Sequence, residues 1–284
     1  MGTSIHAATT MGAVSLTVRD LARSLEFYQH NLGFKLHRQE GKQAQLGAGD
    51  ADLLILNENP AAPPLRRGQT GLYHFAVLTP SRVALAQSLQ RLAETQTPIQ
   101  GFADHNVSEA IYLADPDGNG IEIYRDRPRG EWEYDNGKIK MATDPIDLDG
   151  ILAELNGQNL SWTGLHPDTV IGHVHLHVSD IKSAEAFYCG VLGFDLMLRY
   201  GPSASFVSAG GYHHHLGLNT WAGVGASPPP PDSIGLIWYA VVLPDQEALD
   251  EVVTRVKVAG APIKAHADGF LVHDPSQNGI LLKT

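Results

Sequence analysis

Hydrophobic and polar positions alternate in short runs along this chain, and helical spacings separate the runs. Val14-Ser15-Leu16-Thr17-Val18 alternates with period two, as a strand with one buried face does. A helical pattern follows over residues 21–31 and stops near Gly33. Residues 44–46 and 53–56 then read as strands. The order starts again with a strand at 73–78, a helix at 82–94, and strands at 110–113 and 121–124. Asp115-Pro116-Asp117-Gly118-Asn119-Gly120 is a strong turn signal before the last of these.

The pattern repeats once more along the chain. Residues 12–34 match 172–194 at an offset of 160. Gly12 pairs with Gly172, Asp20 with Asp180, Phe27-Tyr28 with Phe187-Tyr188, and Leu32-Gly33-Phe34 with Leu192-Gly193-Phe194. Residues 115–124 match 274–283 at an offset of 159, and 71–80 resemble 235–244 at 164. Four similar units result, the third at 171–221 and the fourth at 235–283. This predicts an α+β fold of four strand-helix-strand units, βαβββ-like in outline. The N-terminal half spans 1–125, a connector 126–169 with a short helix at 147–155, and the C-terminal half 170–284. Pro228–Pro231 predicts a stiff extended loop.

Composition narrows the function. Of 284 residues, 43% are hydrophobic and 18% charged, as in a folded globular protein. The formal charge of −11 weighs against non-specific binding to nucleic acid or an anionic membrane. No apolar run reaches the roughly 18 residues of a membrane span, and the first residues lack a secretory pattern, so a cytoplasmic setting is expected. The single cysteine, Cys189, excludes an internal disulfide and a cysteine-based zinc site, and reads as helix packing. Histidine stands out instead, with 14 residues.

The four-unit pattern, the FY…LGF helix ends and the DPDGNGIE turn before a last strand resemble the vicinal oxygen chelate superfamily. That group holds glyoxalase I, bleomycin-resistance proteins and extradiol ring-cleaving dioxygenases. The resemblance covers nearly the whole chain outside the connector. It implies that the units pair into two cup-shaped sheets. An iron dioxygenase of this kind needs two imidazoles and one carboxylate on one face of the metal, with positions left for substrate and oxygen. His173 in unit three corresponds to Ala13 in unit one; His74 in unit two corresponds to Trp238 in unit four; Glu122 in unit two corresponds to Leu281 in unit four. One set is complete only if unit two pairs with three, and the empty set then falls to units one and four. The long connector suits that crossed pairing.

His173, His175 and His177 share one strand face, and periodicity does not choose among them. The resemblance chooses His173, seven residues before Asp180. It further implies His214, within Tyr212–Leu218 read as the start of a strand, as the acid/base residue. There His213 and His215 would share one face and His214 the other. Tyr112, ten residues before Glu122, matches the family's active-site tyrosine, and His105 resembles its substrate-binding histidine. His214 would take a substrate proton; His105 and Tyr112 would hydrogen-bond the substrate oxygens. The order of ligands resembles the Bacillus-type catechol 2,3-dioxygenase branch, which implies Fe(II), or Mn(II), with a small aromatic diol and O2 as reactants. Copies pairing through sheet edges would fit such a fold. Two other readings use the same scaffold. A glyoxalase-like isomerase or lyase would want a fourth ligand, often a second carboxylate, and residues 213–218 offer none. A metal-free binder of a planar aromatic would have eroded ligands, as units one and four do and units two and three do not.

Overall fold

The computed structural model describes residues 4–135, 138–158 and 161–284. The first unit forms β1 (Thr10–Val18), β2 (Lys35–Glu40), β3 (Gln43–Gly47) and β4 (Asp52–Glu58), with helix α1 (Leu21–Glu26) after β1. The second forms β5 (Gly71–Leu78), α2 (Arg82–Glu94), β6 (Ile99–Asp104), β7 (Ser108–Ala114) and β8 (Gly120–Asp126). The connector adds a hairpin, β9 (Tyr134–Asp135) and β10 (Lys138–Ile139), and helix α3 (Leu148–Ala153). The third unit forms β11 (Val170–His177), α4 (Ile181–Glu185), β12 (Asp195–Tyr200), β13 (Ala204–Ser208) and β14 (Leu216–Asn219). The fourth forms β15 (Gly235–Val242), α5 (Gln246–Val258), β16 (Ile263–His266), β17 (Gly269–His273) and β18 (Gly279–Lys283).

Two eight-stranded sheets result. One runs β16-β17-β18-β15-β1-β4-β3-β2 and the other β12-β13-β14-β11-β5-β8-β7-β6. Units one and four therefore share a sheet, and units two and three share the other, which is the crossed pairing. By compactness the chain divides differently. One unit holds Met1–Thr17, Ala62–Tyr73 and Gly172–Thr284; the other holds Val18–Ala61 and His74–Ile171.

Inside each compact unit the two repeated motifs explain one another. Asp20 caps α1 by accepting from the Arg23 amide, and Asp180 caps α4 from Ser183 in the same way. Both helices continue as a wider π turn, over Phe27–Asn31 and Ala186–Leu192, which the sequence reads as plain helix. The tyrosine of each FY pair then reaches the first aspartate of the turn motif. Tyr28 donates to Asp115 at 2.9 Å and Tyr188 to Asp274 at 3.0 Å. Both tyrosines are fully buried. Burial, then the neighbouring carboxylate, pushes each phenol well above its usual range. The two motifs that carry the repeat are thus core fasteners, away from the chemistry.

The two fasteners differ in one respect that can be measured. Tyr239 also donates to the Tyr188 hydroxyl, at 3.0 Å. Tyr188→Phe takes the acceptor from the buried Tyr239 hydroxyl and one donor from Asp274, which keeps Asn278, so it is expected to cost about 2–4 kcal/mol; Tyr28→Phe takes one donor from Asp115, which keeps Asn119, at about 1–2 kcal/mol. Urea midpoints of the two variants test the order.

Gly33 takes a left-handed φ of 81°, and the connector lies against it. A Cβ there would come within 2.8 Å of the Gly164 Cα, while Leu165 donates to the Gly33 carbonyl at 2.9 Å. Cys189 lies half-buried in the second π turn, and desolvation lifts its thiol to about 11. At neutral pH its alkylation by iodoacetamide should run about 100-fold slower than for a free cysteine, as mass spectrometry of timed samples would show.

Candidate metal centre and its acid-base groups

The site begins with strand register. β5 and β8 run parallel with Ala76 beside Glu122. His74 precedes Ala76 by two residues and so projects from the same face. Its imidazole reaches diagonally to the next strand, with Nε2 3.0 Å from Glu122 Oε2. Both residues are buried, at 6% and 2% exposure. Ile121 and Ile123 flank Glu122 and are buried as well, so the strand places a carboxylate in an apolar setting. Such a group is costly without a charged or hydrogen-bonding partner, and a metal ion is one that two imidazoles and a carboxylate suit.

Antiparallel pairing of β7 with β8 sets Tyr112 directly opposite Glu122. The Tyr112 ring lies 5.5 Å from that of His74. His105 follows β6 in a turn where Asn106 takes a φ of 66°. Its Nε2 is 2.7 Å from the Tyr112 hydroxyl and its Nδ1 is 2.6 Å from the Ala142 carbonyl. A carbonyl only accepts, so Nδ1 carries the hydrogen. If the ring is neutral, it accepts at Nε2 and Tyr112 donates. A connector residue thus sets the direction of this hydrogen bond for the neutral ring.

The connector is itself held in place. Asp104 and Asp144 exchange backbone hydrogen bonds of 2.9 Å, and the Ala142 amide donates to the His105 carbonyl at 3.3 Å. Arg127 grips the Asp104 carboxylate at 2.6 Å. Arg82 bridges the buried Glu109 to the Gly150 carbonyl of α3 and to Glu154 just beyond it. The hydrogen bond to Glu109 raises the Arg82 pKa further above its ordinary value.

His173 is buried on β11, 2% exposed. β14 lies beside it in parallel, and the His215 carbonyl accepts from the Val174 amide at 3.1 Å. This draws His214 alongside His173, with ring centroids 4.2 Å apart; His213 stands at 6.2 Å. The strand expected over residues 212–218 starts only at Leu216. Ahead of it the backbone is irregular, and the alternation of side chains fails. His213 and His214 face each other with their Nδ1 atoms 2.8 Å apart, one donating and one accepting. His215 turns elsewhere. The Ala209 amide donates to its Nδ1 at 3.1 Å, which leaves its hydrogen on Nε2 if the ring is neutral.

His175 and His177 follow His173 on β11. His175 lies over Gly217, whose missing side chain makes the room: a Cβ there would be 2.7 Å from the imidazole. His177 Nδ1 meets Asn219 Oδ1 at 2.7 Å. In the other sheet the three corresponding positions are Ala13, Trp238 and Leu281, none of which offers a ligand atom. Ala142 acts through its backbone carbonyl and had no signal in the sequence. His213, expected on the face opposite His214, meets it because the strand does not form there.

The chain resembles known proteins along most of its length. The sequence profile of the Glyoxalase/Bleomycin resistance protein/Dioxygenase superfamily matches residues 10–123 and 170–278. A catechol-2,3-dioxygenase of Bacillus subtilis (strain 168) is 53% identical over 277 residues, 96% of either chain. Among solved structures, a protein of Bacillus subtilis subsp. subtilis str. 168 superposes with a TM-score of 0.65 at 15% identity, covering 96% of this chain and 84% of that one. Glyoxalase I from Zea mays superposes with 0.58 at 18% identity, covering 97% and 92%. These two likenesses speak for the fold. Among the described residues no helix is long and apolar enough to cross a membrane.

Proposed function

The chain belongs to the glyoxalase/bleomycin resistance protein/dioxygenase superfamily, and on that premise we propose that it is an extradiol ring-cleaving dioxygenase of the catechol 2,3 type. One divalent metal, Fe(II) or else Mn(II), would be held by His74, Glu122 and His173. The observation that carries this reading is that these three residues each offer a ligand atom and the three atoms lie within 4.8 Å of one another. Two imidazoles and one carboxylate make the facial set that leaves positions open. The 53% identity to a catechol-2,3-dioxygenase, spread over 96% of the chain, supports the same chemistry.

When bound, the metal supplies Lewis acidity and a common meeting point for the diol and dioxygen. The chain's own residues do the rest. His214, beside His173 and in hydrogen-bond contact with His213, is the group placed to accept a proton from a diol hydroxyl and return it to the product. With the His105 ring neutral, Tyr112 gives its hydrogen toward His105, and its oxygen keeps lone-pair capacity to accept from a second diol hydroxyl. His105 has one nitrogen on Ala142 and the other on Tyr112. It therefore acts through Tyr112 and not directly on the diol. Burial of the ligands excludes bulk water and strengthens each of these polar interactions.

The test is direct. Protein loaded anaerobically with Fe(II), then given catechol and air-saturated buffer, should consume one O2 per diol and form a yellow ring-fission product. Metal-loaded protein that takes up no O2 with any catechol would contradict the reading.

A further inference from the structure

His175, His177 and Trp221 play no part in the proposed chemistry, yet they stand in one aromatic cluster with Tyr73 and Phe206. Ring contacts run without a break from the proposed ligand His173 to His214 at 4.2 Å, to Phe206 at 5.0 Å and to His175 at 5.7 Å. From His175 they continue to Tyr73 at 5.1 Å and Trp221 at 5.4 Å. Tyr73 and Trp221 meet each other at 5.3 Å, nearly perpendicular, at 85°. Tyr73 also packs on His177 at 5.0 Å.

Two features make this a built corner. The first is exposure: Tyr73 is 41% and Trp221 49% exposed, while His175 is buried. Large aromatic rings left half-open together mark a binding surface more than a packing one. The second is how the polar atoms are directed. Asn219, fully buried, accepts with one oxygen from the Trp221 amide at 3.0 Å and from His177 Nδ1 at 2.7 Å. The Trp221 indole N–H donates to Ser203 at 3.3 Å. Thr70 is tied to the proline loop, its amide donating to the Ser227 carbonyl at 3.0 Å, just before the strand that carries Tyr73. These hydrogen bonds hold Trp221 and His177 in place, and the rings of Tyr73 and Trp221 are the exposed members of the corner. Perpendicular rings make an angle that a further flat ring fills edge-to-face.

We propose that Tyr73, His175 and Trp221 form a specificity subsite for a neutral, flat, apolar substituent carried on the diol ring. The proposal rests on the dioxygenase reading for the diol itself. An anionic arm fits less well, because the chain's net charge of −11 disfavours anions.

Steady-state cleavage of catechol, 4-phenylcatechol and 3,4-dihydroxyphenylacetate by Fe(II)-loaded protein tests it, with equilibrium dialysis of 4-phenylphenol as a readout without turnover. Wild type should favour the phenyl diol in kcat/KM over both others, through KM. In Trp221→Ala and Tyr73→Ala the ratio of phenyl diol to catechol should fall about tenfold, and the Kd for 4-phenylphenol should rise by a similar factor. Trp221→Phe, which keeps a ring, should restore most of the affinity. If both diols lose alike, or neither variant moves the Kd, the subsite is overturned. If wild type cleaves no diol but the Kd responds to both variants, the subsite stands and the dioxygenase reading falls.

Discussion

Glu122→Ala is expected to lower ring cleavage by at least about 1,000-fold and to leave protein that no longer holds its metal. Removing even a group that only hydrogen-bonds a ligand commonly costs 10–100-fold in metal affinity or activity, and Glu122 would be a ligand itself. It is the only carboxylate in the proposed set, so its loss takes away the negative charge that partly neutralises a divalent ion. It also takes from His74 the partner that stands 3.0 Å away on the next strand. Glu122→Gln separates charge from shape. The amide fills the same space in the apolar strand yet binds a cation poorly, so it should lose metal nearly as completely. Metal content and initial rates, with urea midpoints of the metal-free proteins as the folding control, check both variants. Metal and turnover within twofold of wild type would remove Glu122 from the site.

His214→Phe should separate chemistry from metal binding. The residue lies against His173 but is not in the proposed ligand set, and a phenyl ring can occupy much of the space among His173, His213 and Phe206. The metal should stay. The rate should fall about 100- to 1,000-fold, the usual yield of one acid/base group. The loss should appear in kcat, since the diol's contacts with the metal and Tyr112 persist. Equal metal content and a rate within twofold of wild type would assign the proton transfer to another group, His213 being the nearest.

The fold was readable because it is written four times. The 160-residue offset carries the FY pair, the LGF helix end and the capping aspartates, and each proves to be structural in the same way in both halves. The crossed pairing of units was readable from chemistry, since only strands of units two and three carry ligand types at the repeated positions. Strands β2 and β6 escaped notice for a physical reason. Each lies at the end of a sheet, and β2 is exposed along all six residues, so neither needs alternating apolar positions. The His213–His215 run misled because alternation presumes a strand, and the chain joins β14 only at Leu216. The role of Ala142 was out of reach, because a backbone carbonyl in a long connector leaves no mark in side-chain pattern. Roles for His175 and His177 came only with Gly217, Asn219 and Trp221 around them.

The central claim is that one metal is shared by His74 and Glu122 of the second unit and His173 of the third. Metal analysis of anaerobically purified wild type beside His173→Ala tests it most directly. The account predicts close to one iron or manganese per wild-type chain and little in the variant. No metal in wild type loaded with Fe(II), or metal undiminished in His173→Ala, would contradict it.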